Sequence, residues 1–167
     1  ENDLGAKLHN RFAAWRNPAM SFKKLEHKVE NGVAVLKASY DMPTVKAKME
    51  ITYTINGEGE IKVSQAMTTT AGAEISDMFR YGMRVELPAA LNVIKYYGRG
   101  EVENYCDRKD GAIVGRYTTT VAEMPERYVK PQMTGGREGL RQLTLRDDEG
   151  FGITIETEGT VGLSAIP

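Results

Sequence analysis

From residue 45 to residue 55 the chain alternates without error. Val45, Ala47, Met49, Ile51, Tyr53 and Ile55 fall on one parity, and Lys46, Lys48, Glu50, Thr52 and Thr54 on the other. A period of two is that of a strand with one buried and one wet face. The same period runs on both sides of this segment. Leu25, His27 and Val29 alternate with Lys24, Glu26 and Lys28; Asn31-Gly32 then signals a tight hairpin, and Val33 to Tyr40 returns. Asp41-Met42-Pro43 and Asn56-Gly57-Glu58-Gly59 are turns, and Ile61, Val63 and Met67 mark a further strand over 60–68. Ahead of these strands the period is helical. Leu4, Leu8, Phe12 and Trp15 form a stripe that predicts one short helix from about Leu4 to Arg16, with Asp3 as N-cap and Asn17-Pro18 as its end.

The second half is less regular. Residues 68–77 predict a loop or crossover, and 81–87 a strand with Met83, Val85 and Leu87 inward. Val93 to Tyr97 is apolar on both parities, which predicts a central strand covered on both faces. A strand over 113–121, an irregular stretch over 123–139, and a hairpin of 140–145 with 151–158 complete the chain. Nine or ten strands and one short helix predict an all-β, antiparallel sandwich in a single domain spanning 1–167. Periodicity does not separate a supersandwich from a jelly roll.

The densest run of polar residues lies between Tyr96 and Tyr117. Gly98, Arg99 and Gly100 predict a break between strand and loop, with positive φ in at least one of the two glycines. Asn104 and Asp107 can hold a loop through their own backbone, and Arg99 and Arg108 offer planar forks to Glu103 and Asp107. Tyr96, Tyr97, Tyr105, Tyr117 and Tyr128 cluster around this stretch.

Charge adds little to this picture. Twenty-two basic residues against 23 acidic leave a net charge of −1, without the footprint of a nucleic-acid or anionic-membrane binder. No apolar run approaches the ~20 residues of a membrane-spanning helix. The single Cys106 excludes an internal disulfide and has no sequence-adjacent base, and His9 and His27 lack metal-ligand spacing. Carboxylates fall mainly in turns and on polar strand parities, where solvation is the default, so no catalytic residue is assigned in this chain. His27 is the one candidate for epimerase acid–base chemistry. Trp15 reads either as a sugar-stacking platform or, more simply, as a core anchor on the apolar stripe.

Four ordered motifs carry a resemblance. The loop reads GRGxxENYxDRxxxAxxGxY, bringing together Gly98, Arg99, Gly100, Glu103, Asn104, Tyr105, Asp107 and Arg108. Glu1-Asn2-Asp3-Leu4-Gly5 resembles a TDND-hydrophobe-Gly loop. Residues 82–88 resemble the strand before the polar loop. Tyr128, Pro131, Gln132, Gly135 and Arg141 fall on a stretch that resembles YVxPQExGxxxxxR. Together they resemble the C-terminal small-chain domain of family 2 glycoside hydrolase β-galactosidases over essentially the whole chain. Glu101-Val102, Cys106 and Met133 depart from the usual pattern.

The resemblance implies a supersandwich of the galactose mutarotase type and a fragment of a larger multidomain enzyme, as does a chain that opens inside what should be a loop. It implies a retaining hydrolase of terminal non-reducing β-D-galactose whose catalytic carboxylates lie on an absent barrel domain. Asn2 and Asp3 would be the residues nearest the substrate. Any Mg or Na would belong to the absent domains, which are the expected partners, and carbohydrate would be met only through the full enzyme. The compartment, bacterial cytoplasm or periplasm, stays open. The alternative reading is a free-standing carbohydrate-binding sandwich.

Overall fold

A computed structural model describes residues 2–130 and 133–167, except the side chains of Asn2 and Asp3. The chain forms two compact units, Glu1–Met83 and Arg84–Pro167. Each holds one four-stranded antiparallel sheet, so the chain is all-β as its alternation predicts.

In the first unit β1 (Ser21–Glu30), β2 (Val33–Met42), β3 (Ala47–Ile55) and β4 (Ile61–Thr69) lie side by side in chain order. The Asn31-Gly32 turn takes positive φ at both residues, +51° and +78°, the twist that suits a two-residue hairpin. Pro43–Val45 forms a 3₁₀ turn, so Val45 sits just ahead of the strand rather than in it, yet it is fully buried. The expected register holds in the first half of β3, where Ala47 and Met49 are buried and Lys48 and Glu50 exposed; from Ile51 to Ile55 every side chain is half-buried. Met42, Val45, Ala47 and Met49 form the core, with Trp15, Tyr40, Ile51, Met67 and Ile75 against it.

The expected single helix is instead three single turns, α1 (Asn2–Gly5), α2 (Leu8–Arg11) and α3 (Ala13–Arg16). Lys7 interrupts them in the left-handed region at φ 55°, and Phe12 at φ −102°, ψ 16°. A helix this short needs an amphipathic face packed along its length. Here Leu4 is exposed, and Trp15 is the stripe residue that packs against the core.

In the second unit the order is β6 (Ile113–Thr120), β5 (Val93–Gly100), β7 (Arg137–Arg146), β8 (Gly152–Leu163). Strand β5 is central, as expected, but is covered on one face only. Ile94 and Tyr96 are buried while Lys95 is exposed. Leu91, Ile94, Tyr96, Met124, Leu140, Leu143 and Leu145 make the core. The β7–β8 hairpin turns where Asp147 Oδ1 accepts the N–H of Glu149 at 3.0 Å and of Phe151 at 2.9 Å.

The strand expected over 81–87 does not form. The segment is irregular, and Tyr81, Met83 and Val85 are exposed. Alternation states which side chains could share a face; a strand also needs a neighbouring backbone to pair with, and among the described residues this segment has none. Eight strands are therefore found among the described residues instead of nine or ten.

Candidate functional site

The strand does not break at Gly98-Arg99-Gly100; β5 runs through Gly100, and neither Gly98 nor Gly100 has positive φ. Glycine is required there for space. A Cβ on Gly100 would lie 2.4 Å from Tyr96 Oη and 2.7 Å from the Tyr117 ring, and one on Gly98 3.1 Å from Leu140 Cα. The even positions of β5 face the core, and the Tyr96 and Tyr117 rings, 5.4 Å apart, fill what the glycines leave open.

Beyond Gly100 the chain folds around Glu103, the buried carboxylate among the described residues, whose side chain is 4% exposed. Glu103 Oε1 accepts the Tyr128 hydroxyl in a short hydrogen bond and the Arg108 guanidinium at 3.2 Å. Arg108 also reaches Tyr128 Oη at 3.2 Å. Glu103 Oε2 accepts the Gly135 N–H at 2.5 Å and lies 3.2 Å from the Thr134 hydroxyl. Thr134 Oγ1 in turn accepts the Glu126 N–H at 2.6 Å. Burial pushes the Glu103 carboxyl up. The Tyr128, Gly135 and Thr134 hydrogen bonds outweigh it and hold the group below the ordinary 4.5. Glu103 thus ties the loop after β5 to the irregular segment before β7.

Asn104, fully buried beside it, makes a second tie. Its Nδ2 donates to Val102 O at 2.9 Å and Arg99 O at 3.3 Å, its Oδ1 accepts the Glu138 N–H at 2.9 Å, and its own N–H reaches Gly136 O at 2.9 Å. Each polar group of Asn104 taken out of water has a partner, which keeps its burial from costing stability. Tyr105 packs on Gly136, where a Cβ would come within 2.3 Å of the ring. Its Oη is buried near the Glu103 carboxylate but meets no partner with hydrogen-bond geometry.

Of the residues that the sequence singles out, Glu103, Asn104, Tyr105, Arg108 and Tyr128 come together in this clasp. Arg99 forms no ion pair with Glu103 or Asp107; it donates to Ala112 O at 2.9 Å and Lys109 O at 3.3 Å, fastening the far end of the loop. Asp107 is exposed and pairs with neither arginine. Arg141 lies apart, 2.7 Å from Gly139 O and with its guanidinium over the Tyr97 ring. Pro131 and Gln132, and the side chains of Asn2 and Asp3, lie outside the described residues.

The second motif includes Gly135, while sequence reasoning missed Thr134, Gly136 and Arg137. Buried Arg137 donates to Gly136 O at 3.0 Å and to Tyr96 Oη at 3.3 Å. The one available signal was the Gly pair inside an irregular segment too long to be left without a role. Solvation is the default expectation for the carboxylates, and Glu103 departs from it: four donors converging from two segments make its burial possible. Trp15 takes the simpler of its two readings, half-buried on the first core with Nε1 donating to Ser76 O at 2.7 Å.

Against the clasp lies an open cleft of about 680 Å³ lined by Val102, Asp107, Arg108, Asp110, Glu126 and Tyr128, among others. Its charges are mixed. Among the described residues no three His, Cys, Asp or Glu side chains converge.

An all-β chain of antiparallel sheets, with a polar loop built on buried Glu103 and Asn104, is the class that geometry defines. The β-galactosidase small chain family model matches residues 1–166, and the chain belongs to that family. It is 31% identical over 169 residues to a β-galactosidase of Priestia megaterium, aligning 100% of this chain with 16% of that protein. It is also 31% identical over 172 residues to one of Lactobacillus delbrueckii subsp. bulgaricus, covering 17% of its length, and 27% identical over 156 residues to one of Streptococcus thermophilus. The chain therefore spans about one sixth of the relatives that it matches.

Proposed function

We propose that this chain is a non-catalytic C-terminal part of a β-galactosidase that hydrolyses terminal non-reducing β-D-galactose residues with retention. Its role is to support the mouth of the active site and the packing of the remaining domains, which are its partners and which hold any Mg or Na. The observation that carries this reading is the occupation of Glu103. A retaining glycosidase needs an acid and a nucleophile about 5–5.5 Å apart and free to meet the glycosidic bond. The buried carboxylate described here is spent on Tyr128, Gly135, Thr134 and Arg108, with its proton affinity lowered, the opposite of what a general acid needs. The clasp holds loops in place. On this reading Asn2 and Asp3 would stand closest to substrate.

The tyrosines argue in the same direction against a free-standing sugar-binding module, which wants two or three bare rings on one face. Tyr96 is buried, Tyr105 is packed under Gly136, Tyr128 is tied to Glu103, and Tyr97 has the Arg116 and Arg141 guanidiniums over its ring. A chromogenic assay with nitrophenyl β-galactoside, alongside calorimetry with galactose and lactose, tests the proposal. The chain alone should give no turnover and bind no better than about millimolar. Turnover above the buffer blank, or micromolar binding, would overturn it.

A further inference from the structure

The balanced total charge conceals a segregated face in the second unit. Ile94, Tyr96, Leu143 and Leu145 point into the core, so the other parity of each strand points away from it. On that outer face the paired rows read Arg116–Tyr97–Gln142–Glu156, then Thr118–Lys95–Thr144–Thr154, then Thr120–Val93–Arg146–Gly152, with Arg99 beside Val114. Arg141 joins through the bulge between Leu140 and Gln142. The Arg116 and Arg141 guanidinium carbons sit 5.1 and 5.3 Å from the Tyr97 ring centre. Arg99 and Arg141 meet over Gly139, whose absent Cβ would lie 3.4 Å from Arg99 Cγ and 3.8 Å from Arg141 Nη1.

Among the described residues none of Lys95, Arg99, Arg116, Arg141 and Arg146 is in an ion pair. Glu156, the carboxylate of these rows, accepts Gln142 Nε2 at 2.9 Å. The forks are also pre-set: Arg99 and Arg141 each tether one amino group to backbone carbonyls, and Arg116 holds Gln142 Oε1 at 3.4 Å. Gathering like charges on a stacked platform costs repulsion that an anionic partner would relieve.

We propose that this face docks a carboxylate-rich peptide segment. Spacing favours an extended acidic chain. Lys95, Tyr97 and Arg99 alternate along β5, so same-face neighbours stand about 6.7 Å apart, the i, i+2 period of carboxylates on an extended peptide. Guanidinium forks match carboxylates bidentately. The threonine row supplies short hydroxyls between the cations. A single-stranded nucleic acid is disfavoured because it needs bare rings to stack on, and the aromatic of this face, Tyr97, already has both guanidiniums over it.

The test is calorimetric titration of the chain with hexaglutamate at low and at moderate salt, about 20 and 200 mM, since a charge-driven contact weakens with screening. Binding is expected at low salt, at least tenfold weaker in the Arg116→Gln/Arg141→Gln variant and reduced in Lys95→Gln, with circular dichroism showing that each variant keeps its strands. Lys24→Gln/Lys28→Gln, on β1 of the other unit, should bind as the parent does. The proposal is overturned if hexaglutamate does not bind, if the arginine variant binds equally well, or if hexauridylate or phosphatidylserine vesicles bind more tightly than hexaglutamate.

Discussion

The two sheets are held by different means. In the first, every strand pairs with its neighbour in sequence and the connections are tight turns, so a local pattern is enough. Its buried residues are apolar, and β1 is exposed along its whole length. In the second, β5 lies between β6 and β7, and irregular segments on both sides of β6 must be fixed against each other. There the buried set includes Glu103, Asn104 and Arg137. A meander can be stabilised by alternation and turn residues alone. A sheet closed by long loops must satisfy the backbone of those loops with buried side chains.

Mutations can break this contrast. The largest effect is expected from Glu103→Ala, which strands the Gly135 N–H and unties Tyr128 and Arg108. Each hydrogen bond to a charged group is worth about 1.5–3 kcal/mol, and this substitution removes several at once. Hydrogen exchange should show protection falling in β5–β8 while β1–β4 keep theirs, and equal loss in both sheets would dissolve the distinction. Next is Met49→Ala in the first core, at about 2–5 kcal/mol, with Ile51→Ala toward the lower end because Ile51 is only half-buried. Lys48→Ala on the opposite parity should stay within about 0.5 kcal/mol in denaturant titration, and the reverse order would shift the register of β3 by one residue.

Gly100→Ala should cost about 1–3 kcal/mol by overpacking against Tyr96 and Tyr117. Gly57→Ala, with open space around its position, serves as the neutral comparison in thermal melts. Acid sharpens the same contrast. Because the folded Glu103 carboxyl is held below 4.5, the unfolded chain binds the extra proton. The stabilisation from Glu103 is complete above about pH 4.5 and is lost as pH falls through the lower folded value. Glu103→Gln should flatten that acid limb in melts between pH 3 and 6, and an unchanged limb would count against the clasp. The smallest effect belongs to Tyr105→Phe. Its hydroxyl is buried without a partner, so removing it should be neutral or stabilising, within about 1 kcal/mol, whereas a clear loss of stability would mean that Tyr105 belongs to the Glu103 network.

How much was legible follows the same division. The Asn31-Gly32 hairpin, the parity of β3 and the β7–β8 hairpin were all visible, because each depends on residues within a few positions of one another. The strand expected over 81–87 and the helix expected over 4–16 had the right periods and failed for want of something to pack or pair with. At Gly98 and Gly100 the residue type was informative, but the expected cause, positive φ, was not the operative one. Only the packed tyrosines reveal that those positions need space.

The sequence by itself determined the all-β class, the turn positions, the family and the identity of the polar loop, since periodicity, turn chemistry and ordered motifs are properties of neighbours along the chain. Tertiary structure alone decided that Glu103 is buried rather than solvated and that Thr134 and Gly135 complete its shell. It also decided that five cations share one face of the second sheet. Each of these depends on which strands become neighbours and in what register, and a one-residue slip would reverse every face.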